Sequence, residues 1–132
     1  MMTPLTCLAV AIFFEARAEP IDGMTAVANV IINRVEDSRY PDTVCDVVWE
    51  PKQFSFTHDG LTDNPEAHTG YQDKIAWKTS LEVAKVALQG DLLGITSTHY
   101  HAKEVLPFWV SSFTKDGSVG NHIFYTNNTD YR

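Results

Sequence analysis

Cysteine is scarce in this chain, with two residues, Cys7 and Cys45, among 132. Two are too few for a disulfide scaffold and lack zinc-site spacing, so they either pair with each other or stay as buried thiols. Basic charge is short as well: 10 Lys and Arg stand against 17 Asp and Glu, a net charge of −7. That balance excludes the basic face on which nucleic-acid binding depends, and it opposes docking on an anionic membrane. No apolar run is long enough to span a bilayer. The greasiest stretch, residues 5–14, has no basic flank before it and no small-x-small cleavage site behind it. It reads as a buried helix and not as an export signal or a membrane segment. Gly-x-Ser-x-Gly elbows, Gly-rich phosphate loops, internal repeats and low-complexity linkers are all missing. What remains, 44% apolar and 20% charged residues, is the composition of one ordinary globular domain over residues 1–132.

Local signals divide the chain into helices and a loop-rich remainder. Thr3-Pro4 offers an N-cap and a first-turn proline, and Pro20 ends the first helix near Ala18. Asp22 caps a second helix over 24–35, where Met24, Val27, Ile31 and Val35 recur at helical spacing. Asp42 or Thr43 caps a short helix that runs through Val48, ahead of Pro51. "QFSFTHDG" alternates and then turns, which predicts a short strand or hairpin arm. A third long helix runs from about Gln72 to Gln89, burying Ile75, Ala76, Leu81, Ala84 and Leu88, with Gly90 as its stop. "STHYHA", an aromatic loop around Trp109, a turn at "KDGSVGN" and a last extended segment "HIFYT" follow. The class is mainly α (α+β), with a small β or loop-rich region.

Glu15 is the first residue that could carry chemistry. Burial beside Phe13 and Phe14 would raise the pKa of its carboxyl and keep it protonated as an acid; the alternative is a helix-end glutamate paired with Arg17 or Arg34. Glu19, beside Pro20, is expected to be exposed and structural. His99 and His101 are two apart and share a face if the segment is a strand, so with His122, His58 or Glu15 they could assemble a zinc site. No His-Glu-x-x-His helix or neighbouring cysteine supports that, and hydrogen-bonded histidines are the simpler expectation. The aromatics exceed what three helices need for packing. Trp77 falls on a helical core stripe, while Tyr100, Phe108 and Trp109 sit in loop-like sequence, where they would suit the stacking faces of sugar rings.

The stretch "CLAVAIFFEARAEPIDGMTAVANVIINRVEDSRYPDTVCDVV", then "QFSF", "THYHA" with a downstream Trp, and "VGNHIFY" together resemble the SleB-type cell-wall hydrolases. The resemblance covers residues 5–125. It implies a lysozyme-like, lytic-transglycosylase-like domain that cleaves peptidoglycan between N-acetylmuramic acid and N-acetylglucosamine. It also places the catalytic acid/base at Glu15. The family's Ser/Thr after Phe falls on Ser55 and its third-motif tyrosine on Tyr100; with Phe54, His99, His101 and Trp109 these are the candidate substrate-binding residues. Ala18 departs from the family's usual Gly. No metal or cofactor is required, and peptidoglycan is the expected partner of a monomer without nucleic-acid or membrane partners. The setting expected is the cell wall, reached either as a phage endolysin or as an exported catalytic domain. A lone Glu favours the transglycosylase route; a hydrolase would need a second acid, with Asp59 and Glu50 as candidates. A wall-binding module without activity, or a zinc amidase built on His99, His101 and His122, are the readings from other classes.

Overall fold

The computed structural model describes residues 2–51, 53–57, 63–68 and 70–129, and the Ser55 side chain is outside that description. His58 and Asp59 lie outside the described residues.

Helix α1 (Pro4–Ala16) opens as its sequence predicts: Thr3 accepts a hydrogen bond from the Thr6 N–H at 3.2 Å, and Pro4 occupies the first turn. Residues 7–13 are apolar on every side and each is at most 1% exposed. A helix with no polar face must be wrapped, and α2 (Ile21–Glu36), α3 (Val44–Val48) and α4 (Tyr71–Leu88) pack around it. Thr43 caps α3 by accepting from the Asp46 N–H at 3.1 Å. Cys7 and Cys45 form a disulfide that ties α1 to α3. Among the described residues, no helix is long and apolar enough to cross a membrane.

Several boundaries differ from expectation. α1 stops at Ala16, with Arg17 as its C-cap. α2 begins at Ile21, so Asp22 lies in its first turn and caps nothing. On α4 the buried face is Ala76, Ser80, Val83, Ala84 and Ala87, whereas Ile75 is 45% and Leu88 40% exposed. Small residues face inward there because α4 lies closely against α1. Gly90, at φ +92, ends α4 as predicted. "QFSF" is no strand: Ser55–Thr57 is a 3-10 turn that buries Phe54 and Phe56.

The sheet has three antiparallel strands, β1 (His99–Ala102), β2 (Thr114–Val119) and β3 (His122–Thr126), in the order β1-β3-β2. The expected turn at "KDGSVGN" is instead mostly strand β2, with a bulge between Lys115 and Gly117 and a tight turn only at Gly120-Asn121.

Helix α2 holds the segment that leads into β1. Asn29 Oδ1 accepts from the Leu93 N–H at 3.1 Å, and Asn33 Nδ2 donates to the carbonyls of Ile95 (2.9 Å) and Ser97 (2.8 Å). Arg34 Nε donates to the Thr98 carbonyl at 2.8 Å. At the far end Glu19 accepts from the Asn121 N–H at 2.6 Å and from Asn121 Nδ2 at 2.9 Å. The Glu19 side chain is only 6% exposed, which corrects the expectation of an exposed residue and fits a structural one. Gly120 has φ +59, and a Cβ there would meet Glu19 Oε1 at 2.5 Å, so only glycine admits this clamp.

The loop closed by the disulfide separates its cysteines by 38 positions, which corresponds to about 4 kcal/mol of unfolded-state entropy. Reduction should therefore lower the melting temperature by about 10–15 °C in calorimetry; an unchanged melting temperature would contradict this. Asn33→Leu removes the side-chain donor of the Ser97 carbonyl and leaves the Ile95 carbonyl to Asn29, and should cost about 1–3 kcal/mol in denaturant unfolding.

Candidate active site

Glu15 is the penultimate residue of α1 and projects from the end of the most buried helix in the fold. Phe14 stacks on Phe56 with ring centres 5.1 Å apart, so apolar surface flanks the carboxyl. Burial raises its pKa, and the hydrogen bond from Tyr100 and the charge of Arg34 offset that effect only in part. The negative end of the α1 dipole also opposes ionisation at this position.

The Tyr100 hydroxyl donates to Glu15 Oε1. Burial, and then the neighbouring Glu15, push the Tyr100 phenol well above its ordinary range, so it stays a donor. On the edge strand β1 successive side chains alternate. Tyr100 packs with Phe124 and His122, whereas His99 and His101 both pack on Trp109.

Beside Tyr100 opens a cavity of about 950 Å3. Arg34, Tyr40, Gln53 and His99 line one part of it, and Phe108, Trp109 and Phe113 another. Trp109 and Phe113 stack at 5.3 Å, and Phe108 is 95% exposed at the rim. Arg34 is buried; its Nη1 donates to Gln53 Oε1 at 3.2 Å, and its guanidinium lies over the rings of Tyr40 and Phe54. Among the described residues no Asp or Glu lines the cavity, and Glu15 meets it through Tyr100. Glu50 sits in the turn after α3 and is not among the lining residues, although its carbonyl accepts from the Gln53 N–H at 3.2 Å.

Of the residues expected from the sequence, Glu15, Tyr100, His99 and Trp109 come together. Phe54 lies beneath Arg34 in the core, 2% exposed, and supports the wall from behind. His101 is buried, with Nδ1 2.7 Å from the Ala102 carbonyl and Nε2 3.0 Å from the Tyr125 hydroxyl. Both of its ring nitrogens are thus occupied. His122 approaches Glu19 Oε1 at 3.3 Å on the hairpin, and burial holds its pKa low despite Glu19 and Glu104. Among the described residues, no three His, Cys, Asp or Glu side chains converge as a metal site. Tyr40 and Gln53 were not anticipated, and Arg34 was expected only as a partner of Glu15. For Arg34 a signal existed, since it follows Val27 and Ile31 on the buried stripe of α2, where a charge needs a reason.

Glu15 titrates higher in the folded chain than in the unfolded one. Such a group adds stability below its unfolded pKa and loses it as pH rises through the folded value. Glu15→Gln should therefore melt above the unmodified protein at pH 8, with the gap closing toward pH 4. A gap independent of pH would contradict the assignment.

A sequence model described as cell wall hydrolase matches residues 18–125, a span that begins just beyond Glu15. Spore cortex-lytic enzymes from Oceanobacillus iheyensis and Bacillus subtilis are 31% and 38% identical over 121 residues, which is 89% of this chain but 39% and 35% of theirs. The chain thus spans less than half the length of these curated relatives. The catalytic domain of the germination-specific lytic transglycosylase SleB from Bacillus anthracis superposes with a TM-score of 0.75 at 28% identity, over 93% of each chain. That of the Bacillus cereus SleB protein gives 0.74, also at 28% identity, over 93% of this chain and 89% of that one. The shared fold is lysozyme-like: mainly helical, with a small sheet.

Proposed function

This chain belongs to the cell wall hydrolase family, and from that premise we propose that it cleaves peptidoglycan glycan strands as a lytic transglycosylase, with Glu15 as its single acid and base. The bond is the one between N-acetylmuramic acid and N-acetylglucosamine. The observation that carries this reading is a carboxyl whose pKa is raised by burial, held by Tyr100, and set beside an aromatic cavity of ligand-binding size. The likeness to the SleB catalytic domain supports it.

In this mechanism Glu15 gives its proton to the glycosidic oxygen as the bond to muramyl C1 breaks, and N-acetylglucosamine leaves as an alcohol. The muramyl acetamido oxygen stabilises the cationic carbon. Glu15, now a carboxylate, takes the proton of the muramyl 6-hydroxyl, whose oxygen bonds to C1 and closes the 1,6-anhydro ring. The acid is restored without water being consumed. One group serves both transfers, which requires a pKa near the working pH. Tyr100 fixes one carboxyl oxygen and leaves the other for the substrate, while Ser55, His99 and Trp109 position the strand. The protein acts as a monomer, as one catalytic domain, and without a cofactor. Its disulfide suits the oxidising side of a membrane, which favours an exported domain over an endolysin stored in the cytoplasm.

Mass spectrometry of digested peptidoglycan tests this reading. The expected products end in 1,6-anhydro-muramic acid, and Glu15→Gln lowers their rate by at least about 100-fold. Reducing ends would mean hydrolysis and a second carboxylate, and released stem peptides an amidase. Because Glu15 must start protonated, kcat should fall as pH rises through its raised pKa. A rate that climbs through that range would contradict the role.

A further inference from the structure

His99 borders the cavity among the rings of Phe113 (4.6 Å), Trp109 (5.2 Å) and Tyr40 (6.4 Å). Its Nδ1 lies 3.0 Å from the Thr98 hydroxyl, and that hydroxyl accepts the Asn127 backbone N–H at 3.3 Å. Thr98 has one hydroxyl proton to give. Its other contact is a backbone N–H that it accepts, so that proton is free for Nδ1. Burial, and then the charges of Arg34 and Arg39, hold the ring's pKa at about 4. With Nδ1 accepting from Thr98, the ring's one proton sits on Nε2, for which no hydrogen-bond partner is found among the described residues. His101 differs in carrying a proton on Nδ1, because the Ala102 carbonyl can only accept.

We propose that His99, held in its Nε2–H form by Thr98, reads the bound strand by donating that N–H to a neutral amide carbonyl. This inference rests on the glycan-cleaving assignment and specifies what the cavity recognises. A neutral donor between aromatic faces fits an acylamino group, whose oxygen accepts while its apolar part packs on Trp109 and Phe113. A carboxylate would call for a cation, and two nitrogens of the nearby Arg34 are already committed to Thr98 and Gln53. Peptidoglycan offers such a carbonyl on the N-acetyl groups of its sugars and on its stem peptides. A site built to hydrogen-bond one group discriminates against ligands that lack it.

Two measurements test the proposal. Long-range 1H–15N correlation spectra of the ligand-free protein should show His99 neutral and protonated at Nε2 at pH 7. An Nδ1–H tautomer or an imidazolium overturns the proposal, whether or not the protein cleaves anything. Calorimetric binding to the inactive Glu15→Gln protein then compares intact strands, stem-stripped strands and de-N-acetylated strands. Adding His99→Phe should weaken binding to intact strands about tenfold, the worth of one neutral hydrogen bond, and adding His99→Gln, which keeps an N–H, should recover most of it. If the loss vanishes on de-N-acetylated strands, the acetyl group is what His99 reads; if it vanishes on stem-stripped strands, a peptide carbonyl is. An equal loss on every strand, or none, overturns the proposal while leaving the glycan assignment standing. Failure of the Glu15→Gln protein to bind any strand overturns both.

Discussion

Ahead of β1 the segment passes from exposed Leu93 to buried Ser97 and Thr98, and the carbonyls of Ile95, Ser97 and Thr98 take side-chain donors. Asn29, Asn33 and Arg34 supply the donors from a helix. They do the work of a neighbouring strand, and they also set the position of β1 relative to α1, since α2 packs on both. Tyr100 reaches Glu15 because this row of side chains places it there. An unmade bond at any of these carbonyls would carry the full cost of burying a polar group without a partner.

The titration of Glu15 is set by opposed influences. Burial raises its pKa. Tyr100 and Arg34 pull the other way, and Arg34 can do so from a buried position because its guanidinium is held by Thr98, Gln53 and two aromatic faces. The residue that anchors the backbone into β1 is thus also the one that moderates the acid.

Much of the scaffold was legible because its signals are local. Thr3-Pro4, Thr43 and Gly90 each act within a few residues of themselves, and α1 is unmistakable from its apolar run. Where the sequence misled, a longer-range cause decided. Phe54 and Phe56 alternate as in a strand, yet both are buried because the turn sits against Phe14 and Trp49. Ile75 and Leu88 look like core residues, but a close helix contact selects Ala and Ser instead. Glu15 and Tyr100 were marked by motif. Glu19, Gln53 and Tyr40 take their places from parts of the chain that a sequence window does not connect.

The clamp between Glu19 and the 120–121 turn joins positions 102 apart in the sequence. Within this span α1 and its carboxyl precede the tyrosine that restrains Glu15 and the hairpin that secures Glu19, so long-range closure must await the segment from Tyr100 to Asn121. A nascent or truncated polypeptide that lacks this segment leaves both Glu15 and Glu19 without these partners.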